Sequence, residues 1–264
     1  MDYAVLMMSD DGYSFLWEQH LDIFFRAWPD FSKPFYICSR TKAYEGKHAE
    51  RVTPLPVGAE PSWSKRLLLA LDAIPQDYVL LTLDDFYLEQ AVKTNYVDEA
   101  LSFITDHEDV AVMYFAPTKT RKQGTENFRC MEHTEPYLLN AQMALWNKKA
   151  LRSLVRAHET PWEFECYGSR RAAGSPYRFY TWNGDGETVF KYDWGKLVRL
   201  HMWDRKQVEK IEACWGITLD LGGVPLYDTY DPPKTRNPLQ VAKKVWRRIT
   251  QTAFHSRWKE PADK

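Results

Sequence analysis

Six apolar, β-prone residues, Tyr78-Val79-Leu80-Leu81-Thr82-Leu83, run directly into two adjacent carboxylates, Asp84 and Asp85, and an apolar segment, Phe86-Tyr87-Leu88, follows. A continuous apolar run of this length reads as a strand buried on both faces of a parallel sheet, which makes the expected fold class α/β. Open α/β sheets bind ligands at the carboxyl ends of such strands. Two acids there, with no cation beside them in sequence, repel each other and are costly to bury unless a metal ion or a sugar hydroxyl satisfies them. A solvated acidic turn at a strand end is the plainer alternative.

The surrounding pattern supports the buried strand. Residues 4–8 read as a first strand ending in the polar turn Ser9-Asp10-Asp11-Gly12. Tyr13 to Trp28 reads as an amphipathic helix, with Trp17, Leu21, Phe24 and Trp28 at helical spacing and Pro29 as its stop. Phe35–Cys38 is a second strand, and Ser62 or Ser64 caps a helix carrying Leu67, Leu68 and Leu71. After the acid-tipped strand come a helix over 92–106 and a strand over 110–115. This alternation predicts a Rossmann-like, mostly parallel central sheet flanked by helices. The glycine fingerprint of dinucleotide binders is missing, which argues against NAD and FAD.

Beyond Phe115 the character changes. Residues 116–136 form a polar, basic loop with Lys119, Arg121, Lys122 and Arg129. An apolar segment over 138–146, a helix over 148–158, and Pro161-Trp162-Glu163-Phe164-Glu165 follow. Next are a loop with Gly168, Arg170, Arg171 and Gly174, strands near 177–182 and 197–202, and a helix over 204–215. No linker separates the halves. The expected organisation is therefore one domain over 1–237, in halves 1–115 and 116–237, with a separate tail over 238–264.

Composition excludes several classes. A formal net charge of −1 gives no electrostatic footprint for nucleic acid. The four cysteines, Cys38, Cys130, Cys166 and Cys214, have neither metal-ligand nor redox spacing, as expected of reduced thiols in the cytoplasm. The amino terminus has no basic segment before its apolar run and reads as a strand, not a signal peptide. No apolar run approaches the roughly 20 residues that span a bilayer. Aromatic content is high at 15%, and Trp and Tyr serve either core packing or flat sugar-binding surfaces.

The acidic turn after the first strand, the strand ending in Asp84-Asp85 and the later Trp162-Glu163-Phe164-Glu165 occur in an order that resembles nucleotide-sugar glycosyltransferases of the GT-A fold. Trp63-Ser64-Lys65-Arg66, Leu83-Asp84-Asp85-Phe86, Ala141-Gln142-Met143-Ala144-Leu145-Trp146 and Pro161–Glu165 are similar to segments of bacterial surface-polysaccharide transferases. The resemblance covers residues 3–215 and lies in the order of short motifs. It departs from the usual Asp-x-Asp in having Leu83-Asp84-Asp85. In x-Asp-Asp members the last acid is the metal ligand and the preceding one touches ribose or sugar, so the division between Asp84 and Asp85 stays open.

The resemblance implies Mn²⁺ or Mg²⁺ on Asp85 and Asp84, with His201 able to complete the metal shell. It makes Glu165 or Glu163 the base on an acceptor hydroxyl, and the donor half 1–115. A divalent ion neutralises charge building on a leaving diphosphate, and carboxylate oxygens suit such hard cations. On a helix Glu163 and Glu165 point roughly 200° apart, so one of them faces the cleft, Glu165 preferred. The plain alternative for Glu163 is a first-turn helix acid. Asp10 and Asp11 are candidates for the base or ribose, or else turn and cap residues. Lys65 and Arg66 are candidates for the diphosphate, or else solvated helix charges. Arg170 and Arg171 are candidates for donor or acceptor phosphate. Gln142, Trp146 and Trp162 are candidates on the acceptor side, the two indoles alternatively as core. His201 is alternatively structural.

In the tail, Val241, Val245, Trp246, Ile249 and Ala253 project to one helical arc and Lys243, Lys244, Arg247 and Arg248 to another. A basic amphipathic helix reads as a membrane-surface or partner-binding element, and a stripe packed on the domain is the alternative. The expectation is a cytoplasmic, metal-dependent glycosyltransferase, peripheral on the inner membrane face. It would move sugar from a nucleoside-diphosphate donor to a saccharide or lipid-linked acceptor in cell-surface polysaccharide synthesis, with inversion. A nucleotidyltransferase would place a basic, glycine-rich phosphate loop after the first strand, where this chain is acidic. A non-catalytic carbohydrate-binding protein with a relic donor site would bind nucleotide without turnover.

Overall fold

Alternate residues of the first strand, β1 (Tyr3–Met8), face opposite layers. Tyr3, Val5 and Met7 join one apolar cluster, and Ala4, Leu6 and Met8 join the other. This two-sided burial is why the strands read as continuous apolar runs. The computed structural model describes residues 2–116, 127–183, 188–193, 197–199 and 201–228.

After a 3-10 turn over Asp11–Leu16 come α1 (Trp17–Ala27), β2 (Phe35–Ser39), β3 (Val52–Pro56), α2 (Trp63–Ala73), β4 (Tyr78–Leu83), α3 (Thr94–Asp106) and β5 (Val110–Tyr114). The chain continues through β6 (Phe128–Cys130), β7 (Ala144–Asn147), α4 (Lys148–Leu154), α5 (Pro161–Glu163), a π-helical turn over Phe164–Gly168, α6 (Ser169–Ala173) and β8 (Arg178–Trp182). It then forms β9 (Val198–Arg199), β10 (Met202–Asp204), α7 (Arg205–Trp215) and β11 (Leu226–Tyr227).

The main sheet has the order β3-β2-β1-β4-β7-β5-β8-β6. β7 is antiparallel to both its neighbours and β6 is antiparallel to β8, while the other pairs are parallel. The Rossmann-like, mostly parallel expectation is borne out. Helices α1 and α3 cover one face through Leu21, Phe24, Val97 and Ile104, and α2 and α4 cover the other through Leu67, Leu71, Leu151 and Leu154. β1 lies between β2 and β4, so the chain winds outward in opposite directions from the β1–β4 pair. The crevice at the carboxyl ends of those two strands is where such sheets bind ligands.

Two expectations are corrected, and one strand lies where none was expected. The segment Val52-Thr53-Pro54-Leu55-Pro56 is a strand, tolerated because it is the sheet edge, where a missing proline N–H breaks no ladder. Residues 168–173 are helical, not loop, because a capping box at Thr160 starts a helical path that runs on to Ala173. The strand expected over 197–202 is a hairpin, β9 to β10, which joins β11 in a separate small sheet. Part of the basic loop (117–126) and the tail (238–264) lie outside the described residues.

Candidate active site

β1 and β4 pair in parallel, with Met8 opposite Leu83. The residues immediately beyond, Ser9 on one strand and Asp84 on the other, continue that register past the end of the ladder. Ser9 Oγ donates a short hydrogen bond to Asp84 Oδ2, and Trp17 Nε1 donates to Ser9 Oγ at 2.7 Å. His20 Nδ1 lies 3.1 Å from the Asp84 carbonyl oxygen. A carbonyl only accepts, so Nδ1 carries the proton. Burial pushes the His20 pKa down to about 4 against the weaker opposing pull of that hydrogen bond, so the ring is neutral at pH 7.

Burial raises the carboxyls of both Asp84 and Asp85 above the usual range, and the charge of Asp85 raises Asp84 further. Among the described residues no guanidinium relieves them. Arg66 is buried with its Nη atoms bound to the carbonyls of Ser9, Glu60 and Pro61 and paired with Asp10 Oδ2 at 3.3 Å. Two carboxylates at a strand end, both charged only at a cost, form the hard-oxygen donor set that Mg²⁺ or Mn²⁺ takes. The pair fits a divalent cation.

His201 does not complete a three-residue ligand set with them. It sits at φ 59° in the β9–β10 turn, exposed, with its ring stacked on Tyr13 at 4.9 Å and 18°. Tyr13 in turn has its hydroxyl pKa raised by burial and then by the charges of Asp84, Asp85 and Asp10. The only three-residue group of clustered His and acid ligands among the described residues is Glu18, Asp22 and His48. Lys47 pairs with Asp22, and Tyr44 donates to Glu18 at 2.7 Å, so an ion pair and a hydrogen bond already engage two of its members.

The turn acids divide their work. Asp10 caps the 3-10 turn by accepting from Gly12 N at 3.2 Å. Asp11 accepts from the backbone N–H groups of Arg40, Thr41 and Lys42 and from the Thr41 hydroxyl. Burial works to raise its carboxyl, but these hydrogen bonds outweigh that and hold it down at about 2. Asp11 is therefore a brace for the loop after β2, which corrects its placement at the nucleotide. Arg66 likewise braces the β1 turn and does not approach a diphosphate from solvent. Lys65, one position earlier on α2, is exposed.

On the second half, Glu165 lies in the π-helical turn, a geometry frequent at functional sites. Its Oε1 accepts from Ala141 N at 2.9 Å, and burial raises its carboxyl above the usual glutamate range against that smaller pull. Glu163 closes the capping box, accepting from Thr160 N and Oγ1 at 2.9 Å. Gln142 adjoins Ala141, and its Oε1 accepts from Tyr192 OH at 3.0 Å. The Tyr192 ring stacks on Phe86 at 4.4 Å and 25°, next in sequence to Asp85. Chain neighbours and three side-chain contacts thus connect Asp85, through Phe86, Tyr192, Gln142 and Ala141, to Glu165.

Two acceptor-side expectations are overturned. Trp146 is fully buried, because β7 lies between β4 and β5 and the indole packs edge-on against Tyr114 at 5.6 Å. Arg171 forms a two-pronged pair with the buried Glu159 carboxylate and also donates to the Leu154 carbonyl, so it neutralises an internal acid and not a phosphate. Trp162 is 49% exposed and Arg170 is exposed beside the Tyr167 ring. Ser9, His20 and Tyr192 were not singled out from sequence. A serine at the register position beyond β1 and a histidine on the apolar stripe of α1 were signals that could have found the first two.

No family model matches the chain, and no curated protein does. Solved structures similar to it include S. aureus TarS, at 12% identity and TM-score 0.45, covering 72% of this chain and 36% of that one. Another is the galactosyltransferase LgtC in complex with donor and acceptor sugar analogs, at 15% identity and TM-score 0.35, covering 57% of this chain and 59% of that one. CMP:2-keto-3-deoxy-manno-octonic acid synthetase complexed with CTP is similar at 10% identity and TM-score 0.40, covering 71% of this chain and 91% of that one. The chain thus spans about a third of TarS and three-fifths of LgtC. None of these similarities bears on its activity.

Proposed function

We propose that the chain is a metal-dependent glycosyltransferase of the GT-A type, moving a sugar from a nucleoside-diphosphate donor to a saccharide or lipid-linked saccharide acceptor in cell-surface polysaccharide synthesis. The observation that carries this reading is the acid pair at the β1–β4 switch point, connected through Phe86, Tyr192, Gln142 and Ala141 to a half-buried glutamate on the second half. Asp85 and Asp84 would hold Mn²⁺ or Mg²⁺, which would supply positive charge against the departing diphosphate. Asp84 and Asp10 contact the donor, with Lys65 near its phosphates. Trp162, Arg170 and Gln142 meet the acceptor.

Glu165 is the base. Its Oε1 is held by Ala141 N, which leaves Oε2 to take the proton of the acceptor hydroxyl. The acceptor oxygen bonds to the anomeric carbon as the bond from that carbon to the diphosphate oxygen breaks, with inversion. Partial burial suits this role, because a base whose pKa approaches the working pH transfers protons best. The spacing of the four cysteines in the sequence fits reduced thiols, and we assign the enzyme to the cytoplasm.

The test is a screen of nucleotide sugars for thermal stabilisation and for nucleoside-diphosphate release, with and without Mn²⁺. A stabilising donor that requires Mn²⁺ and is turned over supports the reading. Pyrophosphate release from a nucleoside triphosphate would identify a nucleotidyltransferase instead. Mn²⁺-dependent binding without turnover across acceptors would leave a carbohydrate-binding protein.

A further inference from the structure

We propose that Ser9, oriented by Trp17, is a positioning residue that determines which oxygen of Asp84 faces a ligand, with His20 fixing the backbone of the same residue. This rests on reading the Asp84–Asp85 turn as the metal and donor site.

An indole N–H can only donate, so at 2.7 Å from Trp17 Nε1 the Ser9 oxygen is an acceptor. Ser9 then has one hydroxyl proton to place. The two acceptors beside it are the Asp10 carbonyl at 3.4 Å and the much closer Asp84 Oδ2. The proton goes to the carboxylate, because at 3.4 Å the Asp10 carbonyl lies beyond ordinary hydrogen-bond reach. Asp84 Oδ2 is thereby tied to Ser9, and Oδ1, which takes no hydrogen bond from another side chain among the described residues, is the oxygen assigned to a cation or a donor hydroxyl. His20 Nδ1–H donates to the carbonyl of the same residue. Asp84 is gripped at side chain and backbone from two different elements, the end of β1 and the buried face of α1.

Ser9, Trp17 and His20 are 5%, 3% and 2% exposed. None of them reaches a ligand, so each acts through Asp84. The register explains why the grip falls here. Beyond Met8 and Leu83 the β1–β4 ladder stops, and a side-chain hydrogen bond takes over from the backbone ones to keep the two strand ends together.

The experiment is a titration of the full chain with Mn²⁺ in the presence of equimolar UDP and GDP, reading free Mn²⁺ by electron paramagnetic resonance. Wild type, Ser9→Ala, Ser9→Thr and Trp17→Phe are compared, with Asp85→Ala as the control and Tm recorded for each. Loss of partners that orient a metal ligand weakens metal binding by about 10–100-fold, and Ser9→Ala is expected to fall in that range. Ser9→Thr, which keeps the hydroxyl, should recover most of the affinity, and Trp17→Phe should fall between. Affinity should not follow Tm across the series, whereas a purely packing role makes the two change together. Trp17→Phe keeps an aromatic ring in the core and carries the test if Ser9→Ala does not fold. Wild-type affinity in Ser9→Ala and Trp17→Phe overturns the inference while the site stands. Absence of Mn²⁺ binding by the wild type, or wild-type affinity in Asp85→Ala, overturns the site reading and the inference with it.

Discussion

Individual side chains at the acid pair and at Glu165 divide between ligand chemistry and bracing. Asp85 has no guanidinium partner among the described residues, so Asp85→Ala is expected to abolish transfer and metal-dependent nucleotide binding while Tm stays near or above wild type. Steady-state assay with Mn²⁺ titration checks this, and unchanged Mn²⁺ dependence would remove the metal assignment. Glu165→Gln is expected to slow transfer by about 10²–10⁴-fold with donor affinity nearly unchanged, because a base acts on the acceptor. The pH profile of kcat/KM follows in sign. Burial raises the Glu165 carboxyl, and only its ionised form takes a proton, so the acid limb should lie above the usual glutamate value and be absent in Glu165→Gln. Loss of donor binding in that variant would place Glu165 elsewhere.

Elements carry the acids that sequence grouped with the site but the fold uses as braces. The Thr160–Glu163 capping box starts the helical path that presents Glu165. Removing the cap by Thr160→Ala should cost about 1 kcal/mol in chemical denaturation. Glu163→Gln keeps the box geometry and should leave kcat near wild type, in contrast to Glu165→Gln. Asp11 ties the loop after β2 to the end of β1, and its carboxyl is held at about 2 against an ordinary 3.8. The folded value is the lower one, so the stabilisation is complete above about pH 3.8 and is lost as pH falls through about 2. Denaturation from pH 7 to pH 2 should therefore show Asp11→Asn less stable than wild type at neutral pH, with the gap narrowing in acid.

For the whole molecule, no helix among the described residues is long and apolar enough to cross a membrane. Membrane contact is proposed for the tail from its sequence alone. Lys243, Lys244, Arg247 and Arg248 would each contribute about 1 kcal/mol near an anionic surface. Deleting residues from 238 onward should weaken binding to phosphatidylserine vesicles yet spare transfer to a soluble acceptor, and high salt should release the full chain. Salt-independent absence of vesicle binding by the full chain would exclude this role. Loss of solubility on truncation would point instead to a stripe packed against protein.

Local order in the sequence determined the strand–helix alternation, the burial of β4 on both faces and the position of Asp84 and Asp85 at its end. These follow from periodicity and from the cost of burying unpaired acids, which need no knowledge of distant contacts. Tertiary structure decided which polar residues serve a ligand and which serve the fold. Arg171 and Arg170 are adjacent in sequence, yet one meets the buried Glu159 and the other is exposed. Trp146 and Trp162 are both indoles in the second half, yet β7 carries the first into the middle of the sheet. Ser9 and Asp84 are 75 residues apart and meet only because β1 and β4 pair in register. A hydrogen bond or ion pair depends on partners a few ångströms away in space, and chain order records those partners only where they are neighbours in sequence.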